Sequence, residues 1–346
     1  MKHCSSLLVR CALTLIALLM LLLPTGCIGE ETYDNTPRGN FEALWQIIDQ
    51  QYCFLDYKGI DWDAIHRQYS ALITNDMSHD GLFEVLGNML AELRDGHVNL
   101  YSTHNMARYW DWYLDYPRNF NEALIEQYLG RDYRIAGGAK YRIFDDNIGY
   151  IYYGDFSNGI GNGNMNEILS YLAICNGLII DVRQNGGGAL IYTTLMAEHF
   201  TNERTLTGYI QHKTGPGHSQ FSEPEPIYID PSDGIRWQKP VVILTNRHCY
   251  SATNDFVNAM RCFPHVTLIG DKTGGGSGLP FTSELPNGWG VRFSASPHLD
   301  AQKQHIEFGI DPDVKLDMDP MDEQKGIDTL IEAAKEYLKS SSPKNK

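Results

Sequence analysis

An α/β fold with an N-terminal helical subdomain is the architecture this sequence predicts, on three observations. Apolar residues recur at helical spacing from Phe41 to Leu93. From Ile148 onward, strand-type and helix-type segments alternate, the pattern of a largely parallel sheet with helices between its strands. Two strand segments, Gly177 to Val182 and Val241 to Leu244, are short apolar runs of strand length, as buried strands require.

The N-terminus is read apart from the fold. Lys2 and Arg10 precede an apolar run, Cys11 to Leu23, too short to span a bilayer comfortably and typical of a signal-peptide core. The following Leu-Pro-Thr-Gly-Cys, residues 23 to 27, resembles a bacterial lipobox, in which Cys27 is lipidated and becomes the mature N-terminus. Residues 1–26 are therefore expected to be a signal peptide and 27–40 a polar tether. The mature chain is expected outside the cytoplasm, lipid-anchored at the membrane of a bacterial cell envelope; a plain secretory signal and a soluble secreted or periplasmic protein are the alternative.

Helical spacing defines an N-terminal subdomain over 41–97. It shows at Leu44, Ile47 and Ile48, at Trp62, Ile65, Tyr69, Leu72 and Ile73, and at Leu82, Val85, Leu86 and Leu90; Asp61 and Ser78 to Asp80 are the expected caps. After the turn at Arg94-Asp95-Gly96-His97, the alternating Val98 to Tyr101 predicts a strand. Residues 98–147 otherwise read as a connecting subregion, rich in tryptophan, tyrosine and arginine without a period, able to wall a cleft.

The α/β core is expected over 148–340. Ile148 to Tyr153 predicts a strand, Asn166 to Ala173 a helix, Gly177 to Val182 a strand and Ala189 to Phe200 a helix. Thr205 to Tyr228 reads as a β excursion. Strands are expected at Val266 to Ile269, around Phe281 to Leu285 and at Gly288 to Ser294, and one amphipathic helix from about Glu323 to Leu338.

Composition excludes several function classes. The 346 residues carry 28 Lys and Arg against 43 acids, a formal net charge of −15 with no basic run, so nucleic acid is not an expected partner. Cys53, Cys175, Cys249 and Cys262, the four outside the leader, lack zinc-site spacing and are too few for a disulfide scaffold in a chain this long. No metal and no cofactor is expected. The glycine run in Arg183-Gln184-Asn185-Gly186-Gly187-Gly188 lacks both nucleotide-loop signatures and fits an oxyanion-binding turn better.

The chemistry concentrates at Val241 to Met260, a strand, a tight turn and a helix that begins at Ser251. A hydroxyl beside unpaired helix N–H groups is well placed to attack a carbonyl, yet serine is also among the commonest helix caps. That stretch alone leaves Ser251 open between cap and nucleophile. Cys249, two residues earlier, reads better as a small buried hydrophobe.

Several motifs taken together resemble the C-terminal processing peptidase family, whose serine peptidases include the tricorn core and the interphotoreceptor retinoid-binding protein. They are LRDGHVNL at 93–100, GLIIDVRQNGGG at 177–188, VVILTNRHCYSATNDF through GDKTGGGSG at 241–278, and EFGIDPDV at 307–314; FLDYKGIDWDAI at 54–65 is similar to the family's helical lead-in. The resemblance implies a ClpP/crotonase-like core, Ser251 as nucleophile, and an oxyanion hole of the Ala252 N–H with that of Gly187 or a neighbouring glycine. Where many members carry a base lysine this chain has Gly276. The tricorn-like branch instead uses a histidine matching His97 and a glutamate matching Glu307. There a serine before the histidine links the two; here it is Gly96. His248 and His305 rank behind His97. The stretch from Ser102 to Asn147 is too short for the family's peptide-binding PDZ domain.

Such a set implies an exported serine endopeptidase: Ser251 attacks, His97 moves the proton, Glu307 supports it. Its partner would be a peptide or an unfolded protein. The competing expectation is a non-catalytic peptide- or hydrophobic-ligand-binding protein on the same scaffold, and the His97–Ser251 distance discriminates between them.

Overall fold

A threonine–proline pair starts the fold earlier than the apolar spacing indicates. Thr36 caps helix α1 (Pro37–Gln51), its hydroxyl accepting the Gly39 N–H at 3.0 Å, and Pro37 sits in the first turn, where a missing N–H costs nothing. The helix thus begins inside the stretch expected as tether. The computed structural model describes residues 33–341; the expected signal peptide, Cys27 and the first part of the tether lie outside the described residues.

Three shorter helices follow, α2 (Leu55–Lys58), α3 (Trp62–Ser70) and α4 (His79–Ala91). Asp61 and Ser78 cap the last two by accepting the N–H groups of Ala64 and Gly81. Their apolar stripes, including Phe41, Leu44, Ile48, Trp62, Leu82 and Leu86, are buried.

Next come β1 (Asn99–Tyr101), β2 (Met106–Arg108), helix α5 (Glu122–Leu129), β3 (Arg134–Ala136), β4 (Ala139–Ile143), β5 (Ile148–Tyr152), α6 (Asn162–Leu172), β6 (Gly177–Asp181) and α7 (Leu190–Ala197). Then follow β7 (Thr205–Ile210), β8 (Glu225–Ile229), β9 (Val241–Thr245), α8 (Ala252–Met260), β10 (Val266–Gly270), β11 (Gly278–Glu284), β12 (Gly290–Asp300), β13 (Val314–Lys315), α9 (Pro320–Gln324) and α10 (Thr329–Ser341).

The strands form two sheets. One runs β13-β10-β9-β6-β5-β4-β3, parallel from β13 to β5 and antiparallel beyond. Its central strands β6 and β9 are wholly buried, α6, α7 and α8 packing on one face and α5 and α10 on the other. Each buried valine, leucine or isoleucine there contributes roughly 1.5–3 kcal/mol. The second sheet, β2-β1-β12-β7-β8 with β11 paired to β12, is antiparallel.

Two differences from the expected elements have physical reasons. Residues 98–147 supply β2 to one sheet and β3 and β4 to the other, strands of three to five residues that are too short to show a period. The single C-terminal helix is two, because the chain turns at Gly326 and Asp328 recaps α10, its Oδ1 accepting the Leu330 and Ile331 N–H groups.

Candidate active site

Ser251 stands where β9 turns into α8, at the helix cap position, but its side chain does not cap. The hydroxyl instead faces His97, with Nε2 2.8 Å from Oγ across 154 residues of sequence. Backbone bonds clamp the turn: the Ser251 N–H donates to Gly275 O at 2.9 Å and its carbonyl accepts the Asp255 N–H at 3.1 Å. They hold Ser251 at φ 57°, ψ −126°, a conformation costly for a residue with a Cβ. The strain turns the hydroxyl out of the helix and into the cleft.

His97 follows α4 just before β1, and β1 is held by β12. Its ring is buried and its Nδ1 takes no partner among the described residues. Burial, with Arg292 and Lys58 nearby, lowers the imidazole pKa to about 4 despite the opposing charge of Asp95. At neutral pH it is therefore the uncharged form that meets Ser251.

Glu307 is buried in the same region but makes no hydrogen bond to His97. Its Oε1 lies 2.8 Å from Lys58 Nζ and its Oε2 accepts the Ser277 N–H at 2.8 Å. The carboxylate closest in sequence to the imidazole is Asp95, whose Oδ1 accepts the His97 backbone N–H at 2.8 Å. Asp95 also accepts Tyr52 and Ser294 hydroxyls at 2.9 and 3.0 Å, with Tyr250 at 3.4 Å and Lys58 Nζ at 3.5 Å. Lys58 lies nearer to Glu307, yet of the two acids it is Asp95 that keeps its negative charge. Burial alone would raise its pKa; Lys58, His97 and those donors hold it at about 2. Burial raises Glu307 to about 7, against the pull of Lys58.

Lys58, Asp95, Tyr52 and Tyr250 were not singled out from the sequence. The signal available was weak: a lysine and an acid that read as ordinary charges of the helical lead-in and of a turn.

Two glycines are explained by space. A Cβ at Gly96 would lie 2.7 Å from Trp112 Nε1 and 2.9 Å from the Tyr250 hydroxyl. At Gly276 it would lie 2.3 Å from the Tyr250 ring. Tyr250, stacked on Trp112 at 4.2 Å, thus fills both the place of a linking serine and that of a base lysine.

Of the expected oxyanion donors, the Ala252 N–H has no partner among the described residues, while the Gly187 N–H donates to Asn185 Oδ1 at 3.0 Å. The expected donor was Gly187 or a neighbouring glycine, and the Gly187 amide is already bonded to the Asn185 side chain. Gly188, next to it, lines the cleft with Ser251, and its N–H has no partner among the described residues. Cys249 is no competitor. Its thiol donates to Val182 O, and burial raises its pKa to about 12. His248 packs on Tyr113 and His305 on Tyr57, both without a bond to Ser251.

Ser251 opens onto two clefts. One, of about 330 Å³, is walled by Gly188, Leu190, Asp255 and Leu279; an apolar cavity of about 240 Å³ shares the last three. The other, of about 470 Å³, lies along β1 and the aromatic residues Trp110, Trp112 and Tyr113. Among the described residues no three His, Cys, Asp or Glu side chains are grouped to hold a metal ion. No helix there is long and apolar enough to cross a membrane.

Comparison with known proteins extends this picture. The profile of peptidase family S41 matches residues 147–316, and that of the tricorn protease C1 domain matches residues 33–91. The crystal structure of a candidate peptidase from Parabacteroides merdae is 56% identical, with a TM-score of 0.85 over 88% of this chain and 97% of that one. A candidate tricorn-like protease C-terminal subunit of Sulfurisphaera tokodaii is 29% identical over 174 residues, 48% of this chain and 18% of that protein. The carboxy-terminal processing protease CtpA of Bacillus subtilis is 27% identical over 176 residues, 50% of this chain and 36% of that protein. The alignments thus span well under half the length of these two curated relatives. With two family profiles in order along one chain, and a relative of known structure matched over nearly its whole length, the chain belongs to peptidase family S41.

Proposed function

We propose that this protein is a serine endopeptidase that hydrolyses peptide bonds without a cofactor. The observation that carries the reading is the 2.8 Å contact between His97 Nε2 and Ser251 Oγ. Nε2 of the neutral imidazole takes the hydroxyl proton as Oγ attacks the carbonyl carbon, then passes it to the leaving amine; water repeats the cycle on the acyl-enzyme. The N–H groups of Ala252 and Gly188 receive the developing oxyanion. Asp95, ionised and joined to the His97 backbone, favours the imidazolium, the part the sequence resemblance gave to Glu307. Glu307 acts one step back, through its 2.8 Å contact with Lys58. The apolar cavity beside Leu190 suits an apolar side chain of the substrate.

Labelling with a fluorophosphonate tests the reading. Wild type is expected to react, and Ser251→Ala and His97→Ala to lose labelling and peptide hydrolysis, the first by roughly 10⁴-fold or more. An unlabelled, folded wild type would leave the ligand-binding alternative in its place.

The leader of residues 1–27 supports export and a lipid anchor at Cys27. Cys27→Ser is then expected to move the protein from the membrane fraction of the producing cell to the soluble one.

A further inference from the structure

One cation at the site has nothing to pair with among the described residues. Arg292 lines both clefts that flank Ser251, is only partly exposed, and takes no hydrogen bond or ion pair among the described residues. A guanidinium only partly open to water is a favourable place for an anion to bind. Strand register adds a second. Asn99 on β1 pairs with Arg292 of β12 on one side and with Arg108 of β2 on the other. Directly paired residues point to the same face, so the two arginines bracket Asn99 in one row. All three line the 470 Å³ cleft, with Arg108 lying 4.6 Å from the centre of the Trp110 ring. That cleft also contains His97 and His248 and not one carboxylate, in a chain of net charge −15.

The row has a direction. The amine half of a cut peptide collects its proton from His97 and leaves past it, and this cleft is walled by the strand that follows His97. We infer that Arg292 and Arg108 form a subsite for a carboxylate of the peptide on the leaving side of the scissile bond, carried by an aspartate or glutamate or by the chain end. Two guanidinium forks match the paired oxygens of a carboxylate. The inference deepens the peptidase reading and rests on it for the direction of the substrate.

The test uses one peptide library in three forms: neutral residues with a carboxamide end, neutral residues with a free carboxylate end, and aspartate-containing residues with a carboxamide end. Cleavage by wild type and by the Arg108→Gln/Arg292→Gln variant is mapped by mass spectrometry. Carboxylate-bearing peptides are expected to be cut at least about tenfold faster than neutral ones, with the carboxylate downstream of the cut, and the preference is expected to vanish in the variant. The favoured arm identifies side chain or chain end as the source. The same pools retained by Ser251→Ala give the comparison without turnover. Fluorophosphonate labelling of the double variant keeps the two readings apart: labelling retained with preference lost is the expected result. Equal cutting and equal retention of charged and neutral peptides would overturn the subsite, whether or not Ser251 is labelled.

Discussion

Protons at the site are governed by burial. Because burial lowers His97 to about pKa 4, the base form is already full near neutrality. The rate is expected to rise with pH through about 4 and to be level from there to pH 7, measured as kcat/KM in a pH series. Arg292 lowers the same pKa, so Arg292→Gln should move that acidic limb to higher pH. Glu307 runs the other way in stability. Its folded pKa, raised to about 7, exceeds the ordinary carboxylate value, so the folded state binds the extra proton. Stability should fall as pH rises through that window, and denaturant melts of Glu307→Gln should show the decline removed. Ser251 and His97 were reached in the sequence through the motifs that carry the family resemblance, since local geometry alone left Ser251 open between cap and nucleophile. The link between Lys58, Asp95 and Glu307 was not, since it joins a short helix, a turn and a distant loop that meet only in three dimensions.

The strand–turn–helix around Ser251 stores strain, and substitution can release it. Ser251→Gly is expected to raise the unfolding free energy by about 1–2 kcal/mol while abolishing labelling, because glycine adopts φ 57° without a Cβ penalty. Ser251→Ala keeps the Cβ and should not share the gain; paired denaturant titrations separate the two. This element was readable from sequence at both ends, β9 from its apolar run and α8 from its period. What could not be read was the turn itself, where backbone bonds to Gly275 and from Asp255 override the capping habit of serine. The short strands β2, β3 and β4 escaped for a simpler reason: their partners, not their own pattern, make them strands.

At the scale of the molecule, one buried cation ties the end of β6 and the segment ahead of α5 to the C-terminal helix. Arg183, fully buried beyond β6, pairs with Asp181 at 2.6 Å and with Asp328 at 3.0 Å ahead of α10, and donates to Asn119 O. Arg183→Met leaves two buried carboxylates without a counter-charge and is expected to cost about 3–5 kcal/mol, read from equilibrium unfolding. The α/β class and the parallel direction of the central strands followed from alternation in the sequence. The second sheet did not, because its strands pair across long separations. Those separations bear on when the site is assembled. During synthesis His97 leaves the ribosome long before β12 exists to hold its strand, and Ser251 precedes the loop whose Gly275 carbonyl fixes its backbone. A chain still being made therefore carries Ser251 and His97 without the strand and the loop that hold them, and the pair is brought together only after the last third has been translated and folded.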